Sequence, residues 1–378
     1  MTVLTEEHVM LRDMARNWTA QESPVGAFRK LRDSGSAIGF DTTVFADMAA
    51  MGWAGVIIPE AYGGSNFGTL ALGMVLEETA RTLTASPLLA SALVAASAIM
   101  LGGTDAQKQA WLPGIAAGDL VGALAVDEAP RHHPVNVTTT ATRSGGGYVL
   151  DGQKRFVIEG AAAGLLIVSA RTSGAANDEA GISLFLVPAD AAGVARQSLI
   201  LTDGRGAADI AFDNVALPAE ARLGAEDEGY ALLEKILDRA RAGVAAEMLG
   251  AATQAFETTL DYLKTRVQFG QVIGSFQALQ HRAARMFTEL ELARSCVEAA
   301  LMAIDDDSAD IPELVSLAKA RMGDTLNLVS NEMVQMHGGI GMTDAHDAGF
   351  YLKRARALEA LYGNQAFHRE RYARIQGY

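Results

Sequence analysis

Tyr148-Val149-Leu150-Asp151-Gly152-Gln153-Lys154-Arg155-Phe156-Val157-Ile158 is the stretch that separates this chain from an all-helical protein. β-Branched and aromatic residues flank Asp151-Gly152, the dipeptide that best tolerates the positive φ angles of a tight turn. Tyr148–Leu150 and Gln153–Val157 are therefore expected to be the arms of a hairpin. Around them Gly122–Val126, Leu165–Arg171, Ile182–Val187 and Asp209–Phe212 are short apolar or alternating runs between turn residues, which read as strands. The middle of the chain is thus β-rich.

Outward from this middle the spacing turns helical. Thr5 followed by Glu6 and Glu7 supplies a capping hydroxyl and an acidic first turn, and Val9, Met10, Leu11, Met14 and Ala15 follow at helical intervals. Further helices are expected at Thr43–Met51, Thr69–Leu83, Leu88–Leu101 and Asp105–Ala117, punctuated by Pro59, Gly63, Gly64, Pro87, Gly102 and Gly103. Towards the C-terminus long helical periods cover Ala231–Leu263, Phe276–Ile304, Ile311–His337 and Ala345–Arg374, which a four-helix bundle accommodates. The expected class is α+β: a helical domain over 1–120, a barrel-like or sandwich β domain over 121–225, and a helical bundle over 226–378.

Composition excludes several function classes. The 378 residues are 49% hydrophobic and 20% charged, enough apolar surface for a large core and too much for a disordered chain. Lys and Arg total 31 against 45 Asp and Glu, a net charge of -14, so no general field draws the chain to nucleic acid or anionic lipid. Cys296 stands alone; it permits neither an internal disulfide nor a cysteine cluster for zinc and suits a reducing compartment, with the cytoplasm expected. The uncharged run between Arg81 and Asp105 holds Pro87, Gly102 and Gly103, and reads as a buried helix rather than a membrane span. The acidic start carries no export signal.

The chemistry-bearing stretches come in a fixed order. Gly52-Trp53-Ala54-Gly55, Ile58-Pro59-Glu60-Ala61-Tyr62-Gly63-Gly64, Glu77-Glu78-Thr79-Ala80-Arg81 and Gln107-Lys108-Gln109-Ala110-Trp111-Leu112-Pro113 lie in the N-terminal third. Tyr262 and Lys264 precede Arg266-Val267-Gln268-Phe269-Gly270-Gln271-Val272-Ile273-Gly274-Ser275-Phe276-Gln277, and Gln335-Met336-His337-Gly338-Gly339-Ile340-Gly341 follows about 70 residues later. Together, over essentially the whole chain, these resemble the acyl-CoA dehydrogenase family of flavoproteins. The resemblance implies FAD as cofactor, with Arg266 on the pyrophosphate and Gln268, Phe269, Phe276, Gln277 and Leu279 near the adenosine end of a flavin in a neighbouring subunit. A guanidinium fork suits two phosphate oxygens, and Phe269 offers an apolar plate. Gln335, Gly338 and Gly339 are implied to let the phosphate-sugar arm approach the backbone closely.

In the β domain the resemblance places Val126, Asp127, Phe156 and Ile158 at the flavin. Where the family shows a glycine-rich loop, this chain has Asp127-Glu128-Ala129-Pro130-Arg131-His132-His133-Pro134, stiffened by two prolines. The two adjacent histidines read as solvated surface, and no metal is expected. Ile158 stands where the family supplies a hydroxyl to the flavin ring.

The reaction implied is α,β-dehydrogenation of an acyl-CoA thioester, of fatty acid or steroid side-chain type, with electrons passed to an electron-transfer flavoprotein. It needs a carboxylate to remove the α proton. The family's base segment corresponds to Tyr362-Gly363-Asn364-Gln365, where Gly363 replaces the Glu, and an alternative base position ahead of Arg241 is Ala240. Glu247 lies seven residues beyond Ala240, about 10 Å along a helix on a similar face, among Ala245, Ala246, Met248 and Leu249. Desolvation there suits a base, and Glu247 is the candidate, with a structural acid paired to an Arg as the alternative. Asp238, Arg241, Tyr362 and Gly363 are the candidate substrate residues; Asp238 and Arg241 either order the thioester or form an i, i+3 ion pair. Three functions follow: a dehydrogenase with a displaced base, a catalytically incomplete subunit of a tetramer completed by a Glu-bearing paralogue, or a binding module without flavin.

Overall fold

A computed structural model describes residues 4–378. Helix α1 (Glu6–Glu22) starts where the Thr5 side chain accepts the His8 amide; α2 (Val25–Ser34), α3 (Thr42–Ala50, capped by Asp41) and α4 (Thr69–Arg81) follow. Leu88–Ala95 is π-helical with every residue buried and runs into α5 (Ala96–Gly102), so the uncharged run is a buried helix, as its composition implied. A capping box between Thr104 and Gln107 opens α6 (Asp105–Ala116).

Next come β1 (Gly122–Ala125), β2 (Thr140–Ser144), β3 (Gly147–Ile158), β4 (Leu165–Arg171), β5 (Ile182–Pro188), β6 (Val194–Ile200), β7 (Gly206–Leu217) and β8 (Arg222–Leu223). They form one sheet in the order β6-β7-β3-β2-β4-β5-β8, with β1 parallel beside β4. Between β2 and β4 only Thr140 and Arg171 pair, so the sheet creases there. Its two halves enclose one core: Leu166, Val168, Phe185 and Val187 on one side, Tyr148, Leu150, Ile210 and Phe212 on the other, with the Tyr148 and Phe185 rings edge to face at 4.9 Å. This is the barrel-like middle that the sequence implied.

The hairpin lies elsewhere than expected. β3 runs unbroken through Asp151-Gly152, and the tight turn is Gly145-Gly146, which joins β2 to β3 with φ of 59° and 86°. Two glycines in the left-handed region outcompete Asp-Gly for the turn. Asp151-Gly152 instead forms a bulge: pairing with β7 shifts register between Leu150 and Gly152, and Asp151 accepts the Asn214 amide.

The C-terminal part holds α7 (Gly229–Thr265), the small hairpin β9 (Val267–Gln268) and β10 (Gln271–Val272), then α8 (Gln277–Asp305), α9 (Ile311–His337), α10 (Ala348–Ala360) and α11 (Gln365–Ile375). α9 packs against α8, α10 and α11. The single last helix expected from periodicity is two. Tyr362 and Gly363 take φ of 54° and 105°, which no helix tolerates, and Asn364 restarts the chain by accepting the Phe367 amide.

The chain forms two compact units. One contains the described residues up to Lys30, Gly73–Thr84 and Arg241–Tyr378; the other contains Leu31–Leu72 and Ala85–Ala240, and therefore the whole eight-stranded sheet. Among the described residues no helix is long and apolar enough to cross a membrane.

In the first unit α4 and α7 touch backbone to backbone. A β-carbon at Gly250 would lie 1.9 Å from the Glu77 carbonyl oxygen. Gly250→Ala is expected to destabilise the protein by about 1–3 kcal/mol through overpacking, read as a lower denaturation midpoint in urea with the slope unchanged.

Candidate functional site

The Arg266–Gln277 stretch leaves α7 as a two-stranded hairpin. Gln268 pairs with Gln271 across a turn in which Phe269 and Gly270 are both left-handed, φ 55° and 79°. The turn is tied at its base, where the Arg266 amide donates to Tyr262 O at 2.9 Å and the Ile273 amide to Arg266 O at 2.8 Å. A positive φ is unfavourable for a bulky residue. Yet Phe269 holds it while 91% exposed, its ring edge to face with Phe276 at 6.2 Å. Arg266, Gln268 and Gln277 are exposed, and Phe276 and Leu279 half-buried. The hairpin presents a cation and an apolar plate to whatever lies beyond it.

α9 ends at the second predicted stretch. Gln335, Gly338 and Gly339 are exposed, Gly338 has φ 64°, and a β-carbon on either glycine would meet nothing within 4 Å. His337, buried, stacks on Tyr262 at 4.3 Å and lies 4.3 Å from His346, so the hairpin base and the glycine turn are joined through one ring. Its Nδ1 donates to Met333 O at 2.7 Å, while Nε2 is buried without a hydrogen-bond partner. Burial pushes the His337 pKa down, against the pull of the Met333 carbonyl, and the neighbouring His346 adds to the lowering. Exposed glycine backbone with open space before it leaves room for a ligand to approach the main chain closely.

The sheet unit carries the other predicted residues. Val126 and Ile158 are buried, and Phe156 is 44% exposed in a β3 bulge with φ 51°, its amide donating to Asp209 Oδ1 at 3.0 Å. Asp127 is engaged within its own loop: His132 Nδ1 donates to Oδ2 at 2.8 Å and the His133 amide to Oδ1 at 3.1 Å. His132 is therefore no solvated surface group, its side chain being 3% exposed. Carboxylate capture by Asp127 turns the ring inward, and only His133 stays exposed as expected.

Behind this loop Lys154, fully buried, donates to Glu128 Oε1 at 2.7 Å, Ser169 Oγ at 3.0 Å and Val126 O at 3.1 Å. Glu128 also accepts the Thr138 amide at 2.8 Å, the Thr139 amide at 3.0 Å and the Thr138 hydroxyl. Desolvation pushes the Glu128 carboxyl up, but the Lys154 charge and these donors outweigh it and hold it down to about 2. Burial pushes the Lys154 pKa down, while the Glu128 charge and hydrogen bond pull it back up. With three oxygen acceptors around it, the ion pair is the state that satisfies every group.

α7 carries Asp238, Arg241 and Glu247, all buried. Arg241 Nε donates to Tyr362 O at 3.4 Å, and its guanidinium lies 5.4 Å from the Phe367 ring centroid, which brings Arg241, Tyr362 and Gly363 together. Glu247 is 6% exposed.

Residues 5–119, 127–215 and 227–376 match, in that order, the N-terminal, middle and C-terminal domains of acyl-CoA dehydrogenase. The chain belongs to the acyl-CoA dehydrogenase family. It is 30% identical over 372 residues to the probable acyl-CoA dehydrogenase YngJ of Bacillus subtilis, covering 97% of each chain. Over 346 residues it is 31% identical to the caffeyl-CoA reductase-Etf complex subunit CarC of Acetobacterium woodii, 89% of each. Among solved structures it is similar to the Tcur3481-Tcur3483 steroid ACAD, with a TM-score of 0.89, 31% identity and 98% of each chain covered.

Two groups of this acyl-CoA dehydrogenase family member escaped the sequence reading. Lys154 and Glu128 are 26 positions apart, and no periodicity brings them together. His337 was masked by the glycines that follow it, although a His inside an otherwise apolar helix end was a visible signal.

The Glu128 shift sets an acid-stability window. Because its folded pKa lies below the ordinary 4.5, the ion pair contributes stability that is complete above about 4.5 and lost as pH falls towards 2. The thermal midpoint of the wild type is expected to exceed that of Glu128→Gln most above pH 5, the two converging near pH 2.

Proposed function

We propose that this chain works as an FAD-dependent acyl-CoA dehydrogenase inside a tetramer, its Arg266–Gln277 hairpin closing over the nucleotide half of a flavin seated mainly in a neighbouring subunit. The observation that carries this reading is Phe269, an aromatic residue held both strained and exposed. A partner surface covering the ring would offset that cost. Domain boundaries near residues 120 and 225, a cytoplasmic location, and an electron-transfer flavoprotein as electron acceptor belong to the same proposal; the CarC name, which joins a reductase subunit to an Etf complex, supports the last.

FAD, when bound, would supply the acceptor for the hydride leaving Cβ. Phe156 would pack on the ring of the flavin seated in its own chain, and Arg266, Gln335 and the bare backbone of Gly338 and Gly339 would hold the phosphates of a neighbouring subunit's flavin. Glu247 is the residue we assign to the α proton: it is a carboxylate only 6% exposed, and it follows Arg241 by less than two helical turns. Substrate classes are fatty or steroid side-chain acyl-CoA thioesters.

A second reading is favoured by Gly363 and by a similar structure that carries two protein names, Tcur3481-Tcur3483. In it the chain is the incomplete member of a heteromer and contributes Arg266, Gln268 and Phe269 to a Glu-bearing paralogue's flavin.

Purification alone and with a co-expressed paralogue separates the readings. About one FAD per chain in the chain purified alone supports the first, and colour gained only with the partner supports the second. A chain colourless in both preparations removes the redox assignment. Under anaerobic acyl-CoA addition, Glu247→Gln is expected to slow flavin bleaching by about 100-fold or more, and an unchanged rate removes Glu247 as base. Arg266→Ala is expected to lower flavin retained on gel filtration by about tenfold.

A further inference from the structure

At the corner between α10 and α11, buried cations hold successive carbonyls. Arg241 donates to Tyr362 O, as does His368 Nε2 at 3.2 Å, and Lys319, on α9 and 1% exposed, reaches the next one. Its Nζ donates to Gly363 O at 2.9 Å, Leu358 O at 2.9 Å and Glu359 O at 3.2 Å. Leu358 and Glu359 lie in the last turn of α10, where carbonyls lack helical partners, so one ammonium caps the helix and ties it to the corner with all three of its protons used. Burial and then the Arg241 charge push its pKa down to about 7, with Glu359 pulling the other way.

The space at 363 is filled. Gly363 has φ 105°, a conformation that strains any side chain. A β-carbon there would lie 2.4 Å from Phe367 Cδ1 and 3.0 Å from both Phe367 Cγ and His368 Nε2. Phe367 is itself packed, 5.1 Å from the His368 ring and 5.4 Å from the Arg241 guanidinium.

We propose that the Tyr362–Gly363 corner is sealed rather than vacant: Lys319 and Arg241 clamp its two carbonyls, Phe367 and His368 occupy the volume a side chain at 363 needs, and an acid installed there cannot act as base. Such a carboxylate would meet two cations, which stabilise its ionised form and so make it a weaker base. Lys319 is a positioning residue for the corner. The inference rests on the dehydrogenase reading only in taking 362–363 as the segment that bears the base in related enzymes.

The test uses the full chain with whatever partner gives it flavin. Gly363→Ala and Gly363→Glu are expected to lower the thermal midpoint by several degrees, the Glu variant more, and to raise hydrogen exchange over residues 361–368 about tenfold. Flavin bleaching in Gly363→Glu is expected not to rise above wild type, because a general base contributes about 100-fold or more when it works. A Glu variant with unchanged midpoint and exchange, or with bleaching accelerated about 100-fold, overturns the proposal. Lys319→Met is expected to raise exchange over the same residues and Lys319→Arg to restore part of the protection; unaltered exchange in Lys319→Met overturns the clamp. If Gly363→Glu does not fold, Gly363→Ala and Lys319→Met carry the test. A chain without flavin in every preparation fails the dehydrogenase reading and leaves the midpoint and exchange arms standing.

Discussion

An ammonium sealed from water must find oxygen for each of its protons, and Lys154 meets this demand where the sheet is weakest. Its three acceptors come from the residue after β1, from the loop that follows, and from β4, while Lys154 itself sits in β3. β2 and β4 pair through one residue each, so backbone bonds alone hold the crease poorly. The ion pair fastens it from inside and, through Glu128, fixes the start of the 127–139 loop. Removing either partner leaves a buried charge, which is why so polar a feature survives in an apolar core.

The helical unit handles charge by a related rule with different means. Lys319 has carbonyl dipoles for company, and Arg241 shares its acceptor, Tyr362 O, with His368. Helix ends supply unpaired carbonyls, and a left-handed corner supplies two more at unusual angles. Cations of long reach are the side chains able to gather them.

How far the sequence disclosed this follows from range. The helix start at Thr5 was legible because capping works over three residues. The buried strands β4 and β5 were legible as unbroken apolar runs. The edge strand β6, Val194–Ile200, was not, since its exposed side chains carry no apolar face. Asp151-Gly152 misled because a turn dipeptide and a bulge draw on the same backbone freedom, and only the pairing partner, Phe212 opposite Gly152, decides between them. The hairpin residues Arg266, Gln268 and Phe269 were legible as a motif, but their exposure was not. Glu247 was legible as a buried acid from its neighbours alone. The Lys319 contacts were invisible, since they go to backbone atoms nearly 40 or more positions away.

The π-helical turn at Leu88–Ala95 has a consequence for how this chain can change. Its wider winding fits more residues into each revolution than an α-helix, and every one of its side chains is enclosed. Midway along it Ser91 donates to Leu120 O and receives the Gly122 amide, anchoring the segment to the first strand. A π turn holds about one residue more than an α turn, so the loss of a single residue is the one change of length that this winding can absorb by tightening to α geometry. Elsewhere along it the enclosed side chains leave room only for substitutions of similar size.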